Sequence, residues 1–178
     1  VDRTEAALAG LQEAMVVFVM HHKRLPCPAD GRLADGHPDA GRENFEDGGA
    51  GDCTFQADGV APTVALGIGT AAGSDGWQRR IAYRVDPVLT RDGAACVDDG
   101  CVCPGGGMDL SCIDPRLVGP GNGGIDDKLS SHGGQGLGLA VCAASRCPEG
   151  SQLMLPETGS GAAYILISHG RTGLGAFS

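Results

Sequence analysis

Apolar side chains recur at three- and four-residue steps near the start of the chain, at Leu8, Leu11, Met15, Phe18 and Val19, while Asp2, Arg3, Glu5, Gln12 and Glu13 fall largely elsewhere. That spacing is the period of an α-helix, and it predicts one face built for burial. The helix is expected to stop between Lys23 and Pro26, because Pro26 and Pro28 cannot continue it. Residues 28–62 follow no period of 2 or 3.6 and read as a long loop rich in Asp, Gly and Ala. Short strand candidates come next. Residues 80–85 (RIAYRV) place Ile81, Tyr83 and Val85 on one face, and residues 137–143 (LGLAVCA) and 162–168 (AAYILIS) are apolar runs with Gly beside them. Residues 64–68 form a weaker candidate. The pattern predicts one α+β domain over 1–178: a long N-terminal α-helix (1–25) packed on an antiparallel β-sheet, a loop over 26–62, then the sheet (63–178) with a Cys- and Gly-rich insertion at about 92–136.

Composition changes this picture in three ways. Gly and Pro number 31 and 10 among 178 residues without a three-residue repeat, which excludes collagen, and 42% apolar residues suffice for a core. Thirteen basic residues against 22 acidic ones leave a charge of −9, a surface that on average repels nucleic acid and anionic lipid. No direct nucleic-acid contact is expected. The densest basic run, His21, His22, Lys23 and Arg24, falls where a helix ends and there offsets the helix dipole. Finally, the longest unbroken apolar run, residues 14–20, is far shorter than the ~20 residues of a membrane span.

Eight cysteines, Cys27, Cys53, Cys96, Cys101, Cys103, Cys112, Cys142 and Cys147, are an even number and suit an oxidising compartment. Cys27 and Cys53 bracket the first loop, and a bridge between them would close it at a gain of ~3 kcal/mol. Cys142 and Cys147 could close a short hairpin-like loop. The middle four have the wrong spacing for two zinc knuckles, and no CxxC supports a thioredoxin-like role.

Other motifs have plainer readings. LPETG at residues 155–159 matches a sortase signal but lacks the hydrophobic span and basic tail that follow one; it reads as a turn before a strand. The Gly-rich strings at 67–73 and 134–138 do not link a strand to a helix with an acidic partner downstream, so they are not phosphate loops. HExxH and the nucleophile elbow are missing, and the chain does not read as an enzyme. Acidic loops at 30–39 and 98–99 lack the EF-hand order and read as solvated turns.

Four pieces taken in order are informative together: RLPCPADG (24–31), Cys53 after a Gly-rich loop, SDGWQRRIAYRV (74–85) and GAAYILISHGRTGLGA (161–176). In this the chain resembles the soluble part of type IV pilin-like proteins, including minor pilins and type II secretion pseudopilins. The resemblance is specific in the first and last quarters, whereas the middle is private to this chain. It implies that Asp75, Gly76 and Trp77 form a turn before a strand with Trp77 packed on the helix, and that Gln78 stands where glycine is commoner. It also makes Tyr83 and Tyr164 strand aromatics. Residues 168–175 (SHGRTGLG) occupy the place of a calcium loop in major pseudopilins, without its aspartates; calcium near Ser168, Gly170 and Gly173 is a weak expectation, and otherwise no cofactor or metal is implied.

The function implied is assembly. Leu8, Leu11, Met15 and Phe18 would hold a globular head to its helix at ~1.5–3 kcal/mol each, and surface loops, above all 92–136, would serve adhesion, secretion or uptake. Partners would be other pilin or pseudopilin subunits and an inner-membrane assembly machinery. The head would be periplasmic and membrane-anchored before assembly, and in a periplasmic or extracellular filament after it. Val1 is expected near the point where the family's helix leaves the membrane, with a basic leader and an apolar anchor encoded upstream. Two other classes compete: a secreted disulfide-rich module that binds a ligand or surface without forming filaments, and a metal-dependent extracellular enzyme.

Overall fold

A computed structural model describes residues 2–46, 53–55, 58–90, 139, 141–142, 152–154 and 162–177. The insertion at 92–136 with Cys96, Cys101, Cys103 and Cys112, the LPETG segment and Cys147 lie outside the described residues, and Cys142 is described only in its backbone.

Helix α1 (Asp2–His22) is the element that the three- and four-residue spacing predicts. Leu11, Met15 and Phe18 are buried and Leu8 is packed half-buried against the core. The helix ends as Lys23 turns into the left-handed region, at φ 55°, with its amide donating to Val19 O at 2.8 Å. Pro26 and Pro28 then keep the chain extended.

Among the described residues, the main sheet has three antiparallel strands in the order β1 (Gly59–Val60), β2 (Ala82–Val85), β5 (Tyr164–Ile167). Strand β2 is central, pairing Tyr83 with Gly59 on one side and with Leu166 on the other. Its alternation is what the sequence predicts: Ile81, Tyr83 and Val85 are buried while Arg84 is exposed. A short helix α2 (Pro87–Thr90) follows it. A second pair joins β3 (Val141–Cys142), inside the candidate at 137–143, to β4 (Gln152–Met154), which no strand candidate covers, and Leu139 bridges to Ala162. The chain is thus α+β, with one N-terminal helix and a small antiparallel sheet. The core joins Leu11, Met15 and Leu25 to Ala61, Ile81, Tyr83 and Val85.

Two expectations need correction. Residues 64–68 are a turn, not a strand: Leu66 N–H donates back to Pro62 O at 3.0 Å and Ile68 N–H to Thr63 O at 2.9 Å, and Gly67 takes φ +70°. Pro62 and Gly67 punctuate an apolar run too short to pair. The sheet begins earlier than residue 63, at Gly59, where a side chain would collide with Pro28 as the two segments approach. Trp77 is 40% exposed, and its turn is closed by the Trp77 and Arg79 amides, which donate to Asp75. Among the described residues, no helix is long and apolar enough to cross a membrane.

Candidate functional site

Two polar nodes fix how α1 sits on the sheet, and their effect is to decide which of its surfaces stays open. The first is Asp75, 1% exposed. One carboxylate oxygen accepts the amides of Trp77 at 2.9 Å and Arg79 at 3.0 Å, and the other accepts the Ser168 hydroxyl at 2.7 Å. The same turn reaches the helix, since Gly76 N–H donates to Thr4 Oγ1 at 3.0 Å. Burial pushes the Asp75 carboxyl up, but the Ser168 hydroxyl, the Arg79 and Trp77 amides and the Arg79 charge outweigh it and hold it below the usual carboxylate range. Gln78 adopts φ 63°, the left-handed conformation that glycine takes without penalty.

The second node closes the other end of the helix. Arg24 makes a two-pronged pair with Glu43, at 2.6 and 3.1 Å, and the same carboxylate accepts the Cys27 amide at 2.7 Å. The Arg24 guanidinium lies 5.2 Å from the Phe18 ring centre and 5.5 Å from that of Phe45. Cys27 and Cys53 form a disulfide with Cα atoms 5.4 Å apart, closing the loop as their bracketing suggests. Tyr83 donates its hydroxyl to Pro26 O at 3.0 Å and sets its ring 6.0 Å from Tyr164. Burial, with Tyr164 and Glu43 nearby, pushes the Tyr83 phenol well above its usual range, and burial also raises Tyr164.

Held at both ends, α1 turns a second apolar surface outward. Val16, Val17 and Met20 are 59%, 56% and 66% exposed on the side away from the sheet. Ala6, Ala9 and Gly10 continue that side toward the N-terminus and are exposed too. Residues 6, 9, 10, 13, 16, 17 and 20 fall on one arc of about 120° of a helix of 3.6 residues per turn, so Glu13 lies within the stripe.

The Ser168, Gly170 and Gly173 segment folds into a turn. Gly170 N–H donates to Ser168 Oγ at 3.2 Å, and both glycines sit at φ +61°. Asp75, whose carboxylate accepts the Ser168 hydroxyl, spends both oxygens on N–H and O–H donors. No cluster of three or more His, Cys, Asp or Glu suited to a metal occurs among the described residues. The structure brings Asp75 and Ser168 together and sets Leu11, Met15 and Phe18 on the buried side, whereas the outward stripe, Thr4, Arg24 and Glu43 escape the sequence reading. For the stripe a signal existed: the run AMVVFVM at residues 14–20 is apolar all round, more than one buried face requires.

No protein-family model, curated protein or solved structure matches the chain.

Proposed function

We propose that this chain is a structural subunit of a filament of the type IV pilus or type II secretion pseudopilus kind, assembling through its N-terminal helix and displaying its loops for adhesion, secretion or uptake. One observation carries the reading: α1 has two apolar surfaces, and its own sheet covers one of them, leaving Val16, Val17 and Met20 in solvent. Covering such side chains is worth about 1.5–3 kcal/mol each if burial becomes complete. A helix flanked on one side by its head and apolar on the other is suited to lie between that head and neighbouring helices. The motifs shared with pilin-like proteins, RLPCPADG, SDGW and AAYILIS, map onto the helix exit, the Asp75 turn and β5, so the resemblance and the folded parts concern the same segments.

In this reading the partners are like subunits and the inner-membrane machinery that assembles them, the head is periplasmic until assembly, and neither cofactor nor catalysis is required. The codons upstream of Val1 test it. A basic leader, a Gly before the cleavage point and an apolar segment with Glu at the fifth mature position are expected. A cleavable secretion signal followed by no anchor would sink the proposal. Shearing the cells and probing the released filaments for the chain is the independent check.

A further inference from the structure

Gly41 and Gly73 stand where a side chain would not fit, and the same residue blocks both. A Cβ on Gly41 would come within 2.6 Å of Thr63 Oγ1, and one on Gly73 within 2.5 Å of Thr63 Cγ2. Thr63 is therefore held by both branches, its hydroxyl toward Gly41 and its methyl toward Gly73. It is 4% exposed, yet its Oγ1 bonds to none of the described residues. Leaving a buried hydroxyl unpaired is costly, and valine would fill the same space without that cost.

Thr63 lines a shallow recess of about 20 Å³, the room of one or two water molecules. Thr70, in a single 3-10 turn (Thr70–Gly73), and Ser74 bring two more hydroxyls to it, and neither hydroxyl bonds to a described residue. Arg80, bridged to Ser74 across the Asp75 turn, stands at the rim with Asp35. Their charges are spent on each other at 2.8 Å, and Arg80 also donates to Gly31 O at 3.1 Å. Val64 flanks Gly41 and is 43% exposed, which gives the rim an apolar shoulder.

Each hydroxyl both donates and accepts, and the Arg80–Asp35 pair leaves no net charge at the rim. A phosphate or carboxylate would meet the Asp35 carboxylate, and a metal ion would meet the Arg80 guanidinium. A neutral group with adjacent hydroxyls conflicts with neither. We infer that the recess is a binding site for a neutral sugar, which enters by one pair of adjacent hydroxyls and lays a C–H face on Val64. Thr63 Oγ1 meets the leading hydroxyl, and Thr70 and Ser74 meet the second. Only that edge of the ring is enclosed. Because Thr63 is already fixed in one orientation, binding orders little there. The assignment is independent of the filament reading, which neither needs nor excludes it.

Amide NMR of the 178-residue chain, titrated with methyl hexopyranosides into the tens of millimolar, tests it. Saturable shifts centred on Gly41, Thr63, Thr70, Gly73 and Ser74 are expected, with a Kd in the millimolar range because so little of the ring is buried. Thr63→Val should be at least as thermostable as the parent, since it removes an unpaired buried hydroxyl, yet bind at least about fivefold more weakly. Thr70→Ala, at an exposed position, should weaken binding about two- to threefold and carries the test if Thr63→Val does not fold. The absence of shifts, shifts centred elsewhere, or equal affinity in the folded variants would each overturn the site. So would an equal response to glycerol or to inorganic phosphate, the first because the ring contact would be idle and the second because the site would be one for anions. None of these results bears on whether sheared filaments contain the chain, so the two readings fail separately.

Discussion

At Asp75, three donors converge on one buried carboxylate from two parts of the chain 93 residues apart. An acid held below its unfolded pKa contributes stability that is fully present above about pH 4 and is lost as pH falls through the lowered folded value. Asp75→Asn is therefore expected to cost about 1–3 kcal/mol at pH 7, with the gap from the parent narrowing below pH 4. Thermal unfolding of both proteins between pH 7 and pH 2.5 measures this; a gap constant with pH would show that the carboxylate's charge is irrelevant. Three residues on, Gln78 holds a left-handed conformation that costs a side-chain-bearing residue about 1–2 kcal/mol. Gln78→Gly should raise stability by about 0.5–1 kcal/mol, read as a higher urea midpoint with an unchanged slope, the residual freedom of glycine in the unfolded chain offsetting part of the relief.

For whole elements, legibility in the sequence followed the range of the forces involved. Strand β2 could be read because Ile81, Tyr83 and Val85 alternate within six residues, and α1 because Leu11, Met15 and Phe18 keep helical step. Residues 64–68 misled for the converse reason: five mostly apolar residues look like a strand until Pro62 and Gly67 turn them back on themselves. Pairings such as Arg24 with Glu43 or Asp75 with Ser168 join positions 19 and 93 residues apart. No local period announces them, since they follow from where the elements finally pack. The first loop lies between these cases, as Cys27 and Cys53 marked its ends while Glu43, its inner prop, was silent. Replacing both cysteines by serine is expected to cost about 3 kcal/mol, from the entropy regained by a loop with a sequence separation of 26. Denaturant unfolding of the double variant against the parent measures the loss; because the Arg24–Glu43 pair and the Glu43 bond to the Cys27 amide remain, the variant should still show a cooperative transition.

Across the whole molecule, α1 divides its surface between the core and solvent. Its buried side supplies Leu11, Met15 and Phe18 to the core, and its outward side supplies Val16, Val17 and Met20 to solvent. A mutation can thus address either role alone. Under the proposed filament reading, Val17→Ser with Met20→Ser should change the stability of the isolated head by less than about 1 kcal/mol, as surface replacements do, while the chain is lost from sheared filaments. Equal loss from filaments and from the folded pool would show instead that these side chains serve the head.

In the proposed filament, where α1 would hold the molecule by one end, the disulfide acquires a further meaning. Tension entering through α1 and leaving through any later part of the chain must pass Cys27 and then Cys53, and the bond between them carries it past the intervening loop. At ~3.3–3.6 Å per extended residue, a sequence separation of 26 corresponds to about 90 Å of slack that a pull cannot draw out while the bond is intact. The same covalent link that lowers the entropy of the unfolded chain therefore also limits how far the head can be stretched.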